Sequence, residues 1–161
     1  MKSTHALARL ALLTTAVLML SLSAFAQETK IKQKDVPAAV IAAFKAAYPQ
    51  ATMTGFAREK ENGKTYFEIE SKDGSIGRDV LYNPDGSVAE VEETIAATAL
   101  PAAAQELLHS NYPKAVVAKA EKTTEKNASG DKIGYEVILK EGRKRFSLEF
   151  DGEGKLKSKA K

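Results

Sequence analysis

The sequence contains no cysteine, and histidine occurs at only two positions, one of them within the first 26 residues. Disulfide bonds, cysteine-based zinc sites and lipid attachment to an N-terminal cysteine are therefore excluded. A nucleophilic triad lacks its usual base, since the remaining histidine, His109, is typical of a polar residue at the end of a helix. The sequence also has no glycine-rich phosphate-binding loop. We therefore predict that the protein has no cofactor and is not an enzyme.

A strong charge of either sign is also absent. Residues 27–161 carry 22 basic and 21 acidic side chains, which gives a net charge of +1. A nucleic-acid-binding protein needs a basic face to neutralise phosphates, so this composition argues against that class. A chain of about 135 residues is long enough for one compact core and short for a multidomain enzyme.

The first 26 residues are predicted to form a secretory signal peptide. Lys2 and Arg9 flank a short basic stretch, an apolar run over 10–24 follows, and an Ala-Phe-Ala tripeptide ends at Ala26. The apolar run is interrupted by threonine and serine and is shorter than the roughly 20 residues of a membrane span. We therefore expect cleavage after Ala26, a periplasmic or secreted protein, and no membrane span in the mature chain.

The rest of the sequence repeats one pattern. Four segments recur at an offset of 64 residues that becomes 68 after a four-residue insertion: 36–39 with 100–103, 48–49 with 112–113, 67–69 with 135–137, and 85–88 with 153–156. Prolines, tyrosines and turn glycines that stay in step over this length indicate a duplication. We predict repeats at 35–93 and 98–161, with linkers at 27–34 and 94–97.

Each repeat begins with an amphipathic helix. Apolar residues recur every four positions in both repeats: Val36, Val40, Phe44 and Tyr48 in the first, and Leu100, Ala104, Leu108 and Tyr112 in the second. Asp35 and Thr98 are the expected N-caps of the two helices. The helices are expected to end before Pro49 and Pro113, because the residue before a proline avoids the α region.

The remainder of each repeat predicts four strands separated by turns such as Asn62-Gly63, a strong hairpin signal. The predicted strands are 51–60, 65–71, 75–82 and 87–93, and then 115–124, 133–140, 143–150 and 155–157. We therefore predict an α+β fold of two tandem repeats, each with one helix packed on a four-stranded antiparallel meander whose other face is polar. The sequence leaves open whether the two sheets join and whether the protein oligomerises.

These motifs resemble those of the PepSY-like family, which is grouped with β-lactamase-inhibitor-like domains. The resemblance is carried by segments 36–49, 66–69 and 82–88 and by their counterparts in the second repeat. It implies an exported protein of two similar halves that binds other proteins, since PepSY domains accompany secreted peptidases as propeptides or inhibitors, and β-lactamase-inhibitor-like proteins grip an enzyme with paired sheets. We therefore expect a protein-binding module that inhibits or regulates an extracytoplasmic enzyme such as a peptidase.

One group of candidate binding residues lies on the strand predicted at 65–71. Because the apolar residues of this strand are expected to face the core, the alternation places Tyr66, Glu68 and Glu70 in solvent, and we expect Arg78 to join them. An exposed aromatic residue beside charges is a common anchor of interfaces. The alternative is an ordinary cross-strand pair that only stabilises the sheet.

A second group is the basic hairpin formed by Arg143, Lys144 and Arg145, which is followed by four lysines in a basic C-terminal tail. Residues 27–97 have a net charge of −3, whereas residues 98–161 have a net charge of +4. The alternative function is therefore a periplasmic binder of small anionic ligands or polyanions through the basic second half. A soluble hairpin whose strand edges are protected by lysine, with a frayed tail, explains the same residues without a ligand.

Carboxylates at turns and on strands leave two further alternatives. Asn83, Asp85 and Ser87 have the spacing of calcium ligands, although Asn-Pro-Asp-Gly is also the sequence of a tight turn. Glu68, Glu70 and Asp79 could share a sheet face as paired acids of a hydrolase, but acids that alternate along a strand usually form its solvated face. We favour the structural interpretation of both groups.

Overall fold

The computed structural model describes residues 27–61 and 63–160. It contains nine strands: β1 (Gln27–Lys30), β2 (Thr52–Glu61), β3 (Lys64–Asp73), β4 (Ile76–Tyr82), β5 (Val88–Thr94), β6 (Val116–Glu125), β7 (Lys132–Glu141), β8 (Lys144–Asp151) and β9 (Leu156–Ala160). The two α-helices are α1 (Ala38–Ala47) and α2 (Ala102–Asn111), and a short 3-10 helix precedes each of them, at Gln33–Asp35 and Ala97–Ala99.

The predicted signal peptide at 1–26 lies outside the described residues. Within the part of the chain that the structure describes, no helix is long and apolar enough to cross a membrane.

All nine strands form one antiparallel sheet, in which they lie in the order in which they occur along the chain. The pairing of β5 with β6, from Glu90 opposite Glu125 to Thr94 opposite Glu121, joins the strands of the two predicted repeats. The α+β class and the antiparallel arrangement are thus confirmed, and the two meanders form one continuous sheet.

The predicted linkers contain regular structure. Residues 27–34 include β1, which pairs with β2 and gives the first half a fifth strand. Residues 94–97 contain the end of β5 and the first residue of the second 3-10 helix. The pattern of four strands was therefore too short for the first half, because a four-residue edge strand is too short to show an alternation that distinguishes it from a linker.

The predicted N-caps are wrong, because Pro37 and Pro101 occupy the N-cap positions and Asp35 and Thr98 lie in the 3-10 helices. The residue before each proline has an extended backbone, with ψ of 136° at Val36, as a following proline requires. The α-helices therefore begin only after the prolines. Both helices end before the next proline, as predicted.

Both helices pack on the same face of the sheet. Val36, Val40 and Phe44 pack against Ile69, Val80 and Tyr82 in one core cluster; in the other, Leu100 and Ala104 pack against Ala120, Val137, Leu139, Leu148 and Phe150. The buried positions follow the predicted apolar stripe, whose last members, Tyr48 and Tyr112, are half-buried at the helix ends. The opposite face of the sheet is therefore left for another role.

Two turn glycines fix the loops that lie under the helix N-termini. Gly86 has φ of 88° and Gly154 has φ of 82°, a left-handed region that glycine adopts at little cost. A Cβ atom would lie 2.8 Å from the carbonyl oxygen of Ala39 at Gly86 and 2.8 Å from Cβ of Pro101 at Gly154. The same close contact between turn and helix therefore occurs in both halves.

Candidate functional site

The face of the sheet opposite the helices is called the open face here. Residues directly opposite one another in antiparallel strands share a face, so the pairing register defines its rows. One row contains Glu68 on β3, Leu81 on β4, Glu90 on β5 and Glu125 on β6. Three carboxylates thus line up across the junction between the two halves.

The neighbouring row of the open face is also acidic. It contains Glu70, Asp79, Glu92 and Thr123 on the same four strands. Glu121, in the row beyond, is 4% exposed. Single carboxylate oxygens of Asp79, Glu92 and Glu121 lie within 4.8 Å of one another, which concentrates negative charge where β4, β5 and β6 meet.

Burial and mutual repulsion raise the pKa values of these acids. Burial, followed by the charges of Glu59 and Asp79, raises the pKa of Glu68 to about 8. Burial, followed by the charges of Glu121 and Glu90, raises the pKa of Glu92 to about 7. Near neutral pH the open face therefore holds carboxyl groups that are partly protonated, which is unusual for glutamate.

Lys119 is the cation at the centre of this acidic group. Its Nζ atom lies 2.5 Å from Oε1 of Glu121. Burial lowers the pKa of Lys119, but the hydrogen bond and charge of Glu121 outweigh this effect and the pKa is raised. Burial raises the pKa of Asp79, although the charge of Lys119 opposes that rise. Asp79, Glu92 and Glu121 are close enough to share a metal ion, and the ammonium group already supplies positive charge there.

The open face is hollow. A cavity of about 890 Å³ extends over β5 to β8, and a smaller one of about 120 Å³ extends over β2 to β5. The two cavities share Glu90 and Glu92 as lining residues and therefore adjoin at β5. The acids lining the larger cavity are Glu61, Glu90, Glu92, Glu125, Glu136, Glu149, Asp151 and Glu153, and its lysines are Lys132, Lys155 and Lys157.

Three of the predicted binding residues lie together on the open face. Tyr66, Glu68 and Glu70 alternate along β3 and are half-buried, and Glu68 also lines the smaller cavity. Tyr66 is paired with Glu59 at the edge of the acidic group. Their role in binding remains a prediction, and the structure places them on the surface where that role would operate.

Arg78 lies on the opposite face, so the expectation that it joins these residues in solvent is wrong. It is 8% exposed and its Nη2 atom lies 2.6 Å from Oε1 of Glu93. Its guanidinium carbon lies 4.2 Å from the centre of the Tyr48 ring. Arg78 is separated by two positions from the buried Val80, and the alternation of β4 therefore places it on the helix side.

The basic hairpin is remote from the acidic rows. Arg143, Lys144 and Arg145 are exposed at the turn between β7 and β8. Four strand spacings separate β3 from β7 in the sheet, a distance of roughly 19 Å. The two predicted groups of binding residues therefore form separate surfaces.

The turn carboxylates are used by their own turns. Oδ1 of Asp85 accepts hydrogen bonds from the backbone N–H and the hydroxyl of Ser87, at 2.9 and 2.7 Å. Oδ1 of Asp151 accepts hydrogen bonds from the N–H groups of Glu153 and Lys155, at 3.0 and 2.9 Å. These bonds lower the pKa of both carboxyl groups and favour the turn-forming interpretation over a calcium loop.

Sequence reasoning missed Glu90, Glu92 and Glu121 as members of the acidic surface. Glu90 and Glu92 do alternate with apolar residues along β5, and that alternation was the available signal. Their approach to Glu121 depends on the pairing of β5 with β6, which joins segments from different halves. No pattern within one half predicts that pairing.

Comparison with known proteins identifies relatives of the whole described fold. A periplasmic protein of Bacteroides eggerthii, described as putative, superposes with a TM-score of 0.60 at 16% identity, over 77% of this chain and 87% of that one. A DUF2874 family protein of Bacteroides uniformis gives a TM-score of 0.60 at 16% identity, over 76% and 87%. A BLIP-like protein of Bacteroides fragilis gives a TM-score of 0.53 at 21% identity, over 76% and 84%.

These likenesses show a shared fold. A search of curated proteins finds no match. The family model described as "Putative beta-lactamase-inhibitor-like, PepSY-like" matches residues 24–88 and, in a second match, residues 65–158. The two matches together span most of the sequence, and the chain therefore belongs to the PepSY-like, β-lactamase-inhibitor-like family.

Proposed function

We propose that the protein is an exported, non-enzymatic module that binds another extracytoplasmic protein on its open face. The observation that carries this proposal is the hollow acidic surface that crosses the junction of the two halves. Like charges opposite one another on a sheet are destabilising, and burial adds to the cost for Glu68 and Glu92. Such a surface costs folding stability, which is reasonable if a partner relieves the cost on binding.

Family membership and export support this proposal. A BLIP-like protein shares the fold, and a neighbour described as periplasmic shares it too. The predicted signal peptide at 1–26 agrees with that location. We favour regulation or inhibition of an extracytoplasmic enzyme, such as a peptidase, as the purpose of binding, and the lack of a histidine base favours a non-catalytic role.

We also infer that the two halves are tandem repeats that share one sheet. Two successive family matches support this, as does the equivalent packing of Gly86 and Gly154 against α1 and α2. Two copies of a helix-covered meander, joined edge to edge, give an open face about twice as wide as one copy provides. A wide surface of this kind suits a protein partner better than a small ligand.

The test is capture of a partner from extracytoplasmic extract by the chain starting at Gln27, followed by affinity measurement with the purified partner. We expect Tyr66→Ala, which removes the aromatic side chain of the open face, to weaken binding about tenfold or more. The control Glu106→Gln, on the outer surface of α2, should leave the affinity unchanged. Equal affinities for the wild type and Tyr66→Ala would contradict binding at the open face.

A second candidate function is anion binding by the basic hairpin. Arg143, Lys144 and Arg145 are all exposed, which favours an anionic surface or polyanion as the ligand. This candidate predicts that Lys144→Glu abolishes binding and that moderate salt releases the ligand. The same affinity measurements distinguish the two functions, since Lys144→Glu leaves the open face intact.

A further inference from the structure

We propose that the open face binds a lysine- or arginine-rich extended segment of its partner, an inference that rests on the protein-binding function proposed above. The sheet face has no helix packed on it within residues 27–61 and 63–160. Its charge is of one sign across four adjacent strands. A cationic segment is the occupant that complements this charge.

The acidic rows cross the strands in the direction in which an extended segment would lie. Glu70, Asp79 and Glu92 occupy neighbouring strands in register, at a spacing of roughly 4.8 Å. Side chains on one side of an extended segment recur about every 6.6 Å. A basic segment lying across β3 to β6 would therefore place successive ammonium or guanidinium groups near successive carboxylates.

Glycines on the open face leave room at its floor. A Cβ atom at Gly55 would lie 2.5 Å from the carboxylate of Glu70, and one at Gly134 would lie 2.8 Å from the hydroxyl of Thr123. The side chains of Glu70 and Thr123 therefore lie down against the sheet instead of standing away from it. Glycine inside a strand often marks the close approach of another group, and here it keeps the hollow shallow-walled and open to a peptide.

Lys119 shows within the fold how a cation is received. Its ammonium group reaches Glu121 and also lies close enough to Asp79 and Glu92 for their charges to raise its own pKa. Glu68, by contrast, faces Glu59, Glu28, Glu70 and Asp79. The part of the surface around Glu68 is therefore the place where an added cation removes the most repulsion.

Cation binding at this surface is coupled to proton release. A positive charge placed beside Glu68 and Glu92 favours their ionised forms, so each carboxyl group that is protonated before binding releases a proton. The groups that face Glu92 are Glu121, Glu90, Glu136, Asp79 and Lys119. Near neutral pH, binding should thus be accompanied by the net release of protons to the buffer.

The experiment measures binding of a fluorescent peptide of about eight lysines to the chain starting at Gln27, by anisotropy and by calorimetry in two buffers of different ionisation enthalpy. We expect binding that weakens at least about tenfold as salt is raised and a heat that depends on the buffer because protons are released. The double variant Glu70→Gln, Glu92→Gln should weaken binding about tenfold or more. The matched control Glu106→Gln, Glu141→Gln removes two acids that lie away from the open face and should bind as the wild type does.

Three outcomes would overturn the inference. One is equal loss of affinity in the control, which would mean that only net charge matters. Another is failure of the lysine peptide to bind although a captured partner depends on Tyr66, which would leave the proposed protein-binding function intact and reject the cationic segment. The third is salt-sensitive self-association that Arg143→Glu abolishes, which would identify the basic hairpin of a second copy as the occupant.

Discussion

Glu68 shows at the residue scale how the open face affects stability. Its pKa is raised from its usual 4.5 to about 8, mainly by burial. In the unfolded chain the carboxyl group ionises near the usual value, so between these pH values the folded state holds a proton that the unfolded state has released. The free energy of unfolding therefore falls as pH rises across this window, and is lowest above it.

We predict that Glu68→Gln raises the free energy of unfolding at about pH 8 by roughly 1–2 kcal/mol, a figure reduced from the full pKa shift because the side chain is partly solvated. At about pH 4 the variant and the wild type should be similar. Urea unfolding at both pH values provides the measurement, with Glu106→Gln as control. A wild type that becomes more stable from pH 5 to pH 8, with no gain in the variant, would contradict this account.

Arg78 illustrates a residue whose place was predicted wrongly because two signals disagreed. Charge favours solvent, whereas the alternation with Val80 and Tyr82 places the side chain beside the helix. The guanidinium group is accommodated there because its Nε atom donates a hydrogen bond of 2.7 Å to Glu93 and it stacks on Tyr48. Alternation is the better guide where a strand lies inside a sheet covered by a helix.

Arg78→Ala should lower the free energy of unfolding by about 2 kcal/mol, because it removes the ring contact and leaves the partly solvated Glu93 without its partner. The midpoint of urea unfolding measures this. Arg58→Ala, an exposed arginine on β2, is the matched control and should change stability little. Binding at the open face should survive in both variants, and its loss in Arg78→Ala with folding intact would contradict the assignment of Arg78 to the helix side.

At the scale of elements, the turns that meet the helices differ from the turns at the other end of the sheet. Gly154 and Gly142 both have positive φ, of 82° and 58°. A Cβ atom at Gly154 would meet backbone of α2, 2.9 Å from the N atom of Ala104, whereas nothing lies within 4 Å of one at Gly142. The two glycines thus separate the cost of conformation from the cost of contact.

We expect Gly142→Ala to destabilise the protein by about 1 kcal/mol, the cost of a left-handed backbone, and Gly154→Ala to destabilise it by roughly 3 kcal/mol, since α2 must also shift. Thermal unfolding of the two variants checks the difference. Gly86→Ala should resemble Gly154→Ala, because the corresponding atom in α1 lies at 2.8 Å. Equal effects at Gly142 and Gly154 would mean that the turn does not press on the helix.

The elements themselves were largely predictable from local patterns. The stripe from Val40 to Phe44, the prolines that end each helix, and the Asp-Gly turns all act through neighbouring residues, so the sequence expresses them directly. The short strand Gln27–Lys30 was not predictable, because it exists only through pairing with β2. The start of each helix was missed by a few residues because proline moved it past the expected cap.

At the scale of the molecule, the candidate site was only half predictable. Tyr66, Glu68 and Glu70 follow from alternation within one strand, but their acidic neighbours on β5 and β6 depend on the edge-to-edge joining of the two halves. That joining depends on compatible edges and backbone hydrogen bonds, which many polar strands could provide. The width of the open face and its concentration of charge therefore became visible only in the assembled sheet.

The continuous sheet predicts that the two core clusters unfold together. Phe44→Ala, at a side chain with 0% exposure in the first cluster, should cost about 3–5 kcal/mol. Because β5 and β6 share backbone hydrogen bonds, amide hydrogen exchange should accelerate at β7 and β8 as well as at β3 and β4. The matched change Lys45→Ala on the exposed side of α1 should accelerate neither. Acceleration confined to the first half would show that the halves unfold independently.

The order of the strands also bears on how the protein reaches its folded state. Every strand pairs with the strands that precede and follow it in the chain, so no strand waits for a partner synthesised much later. Folds built from such near-neighbour contacts form quickly, and a chain that arrives N-terminus first can add each strand to the growing edge as it emerges. Folding after export can therefore keep pace with delivery of the chain, and β9 closes the sequence as the last strand to join.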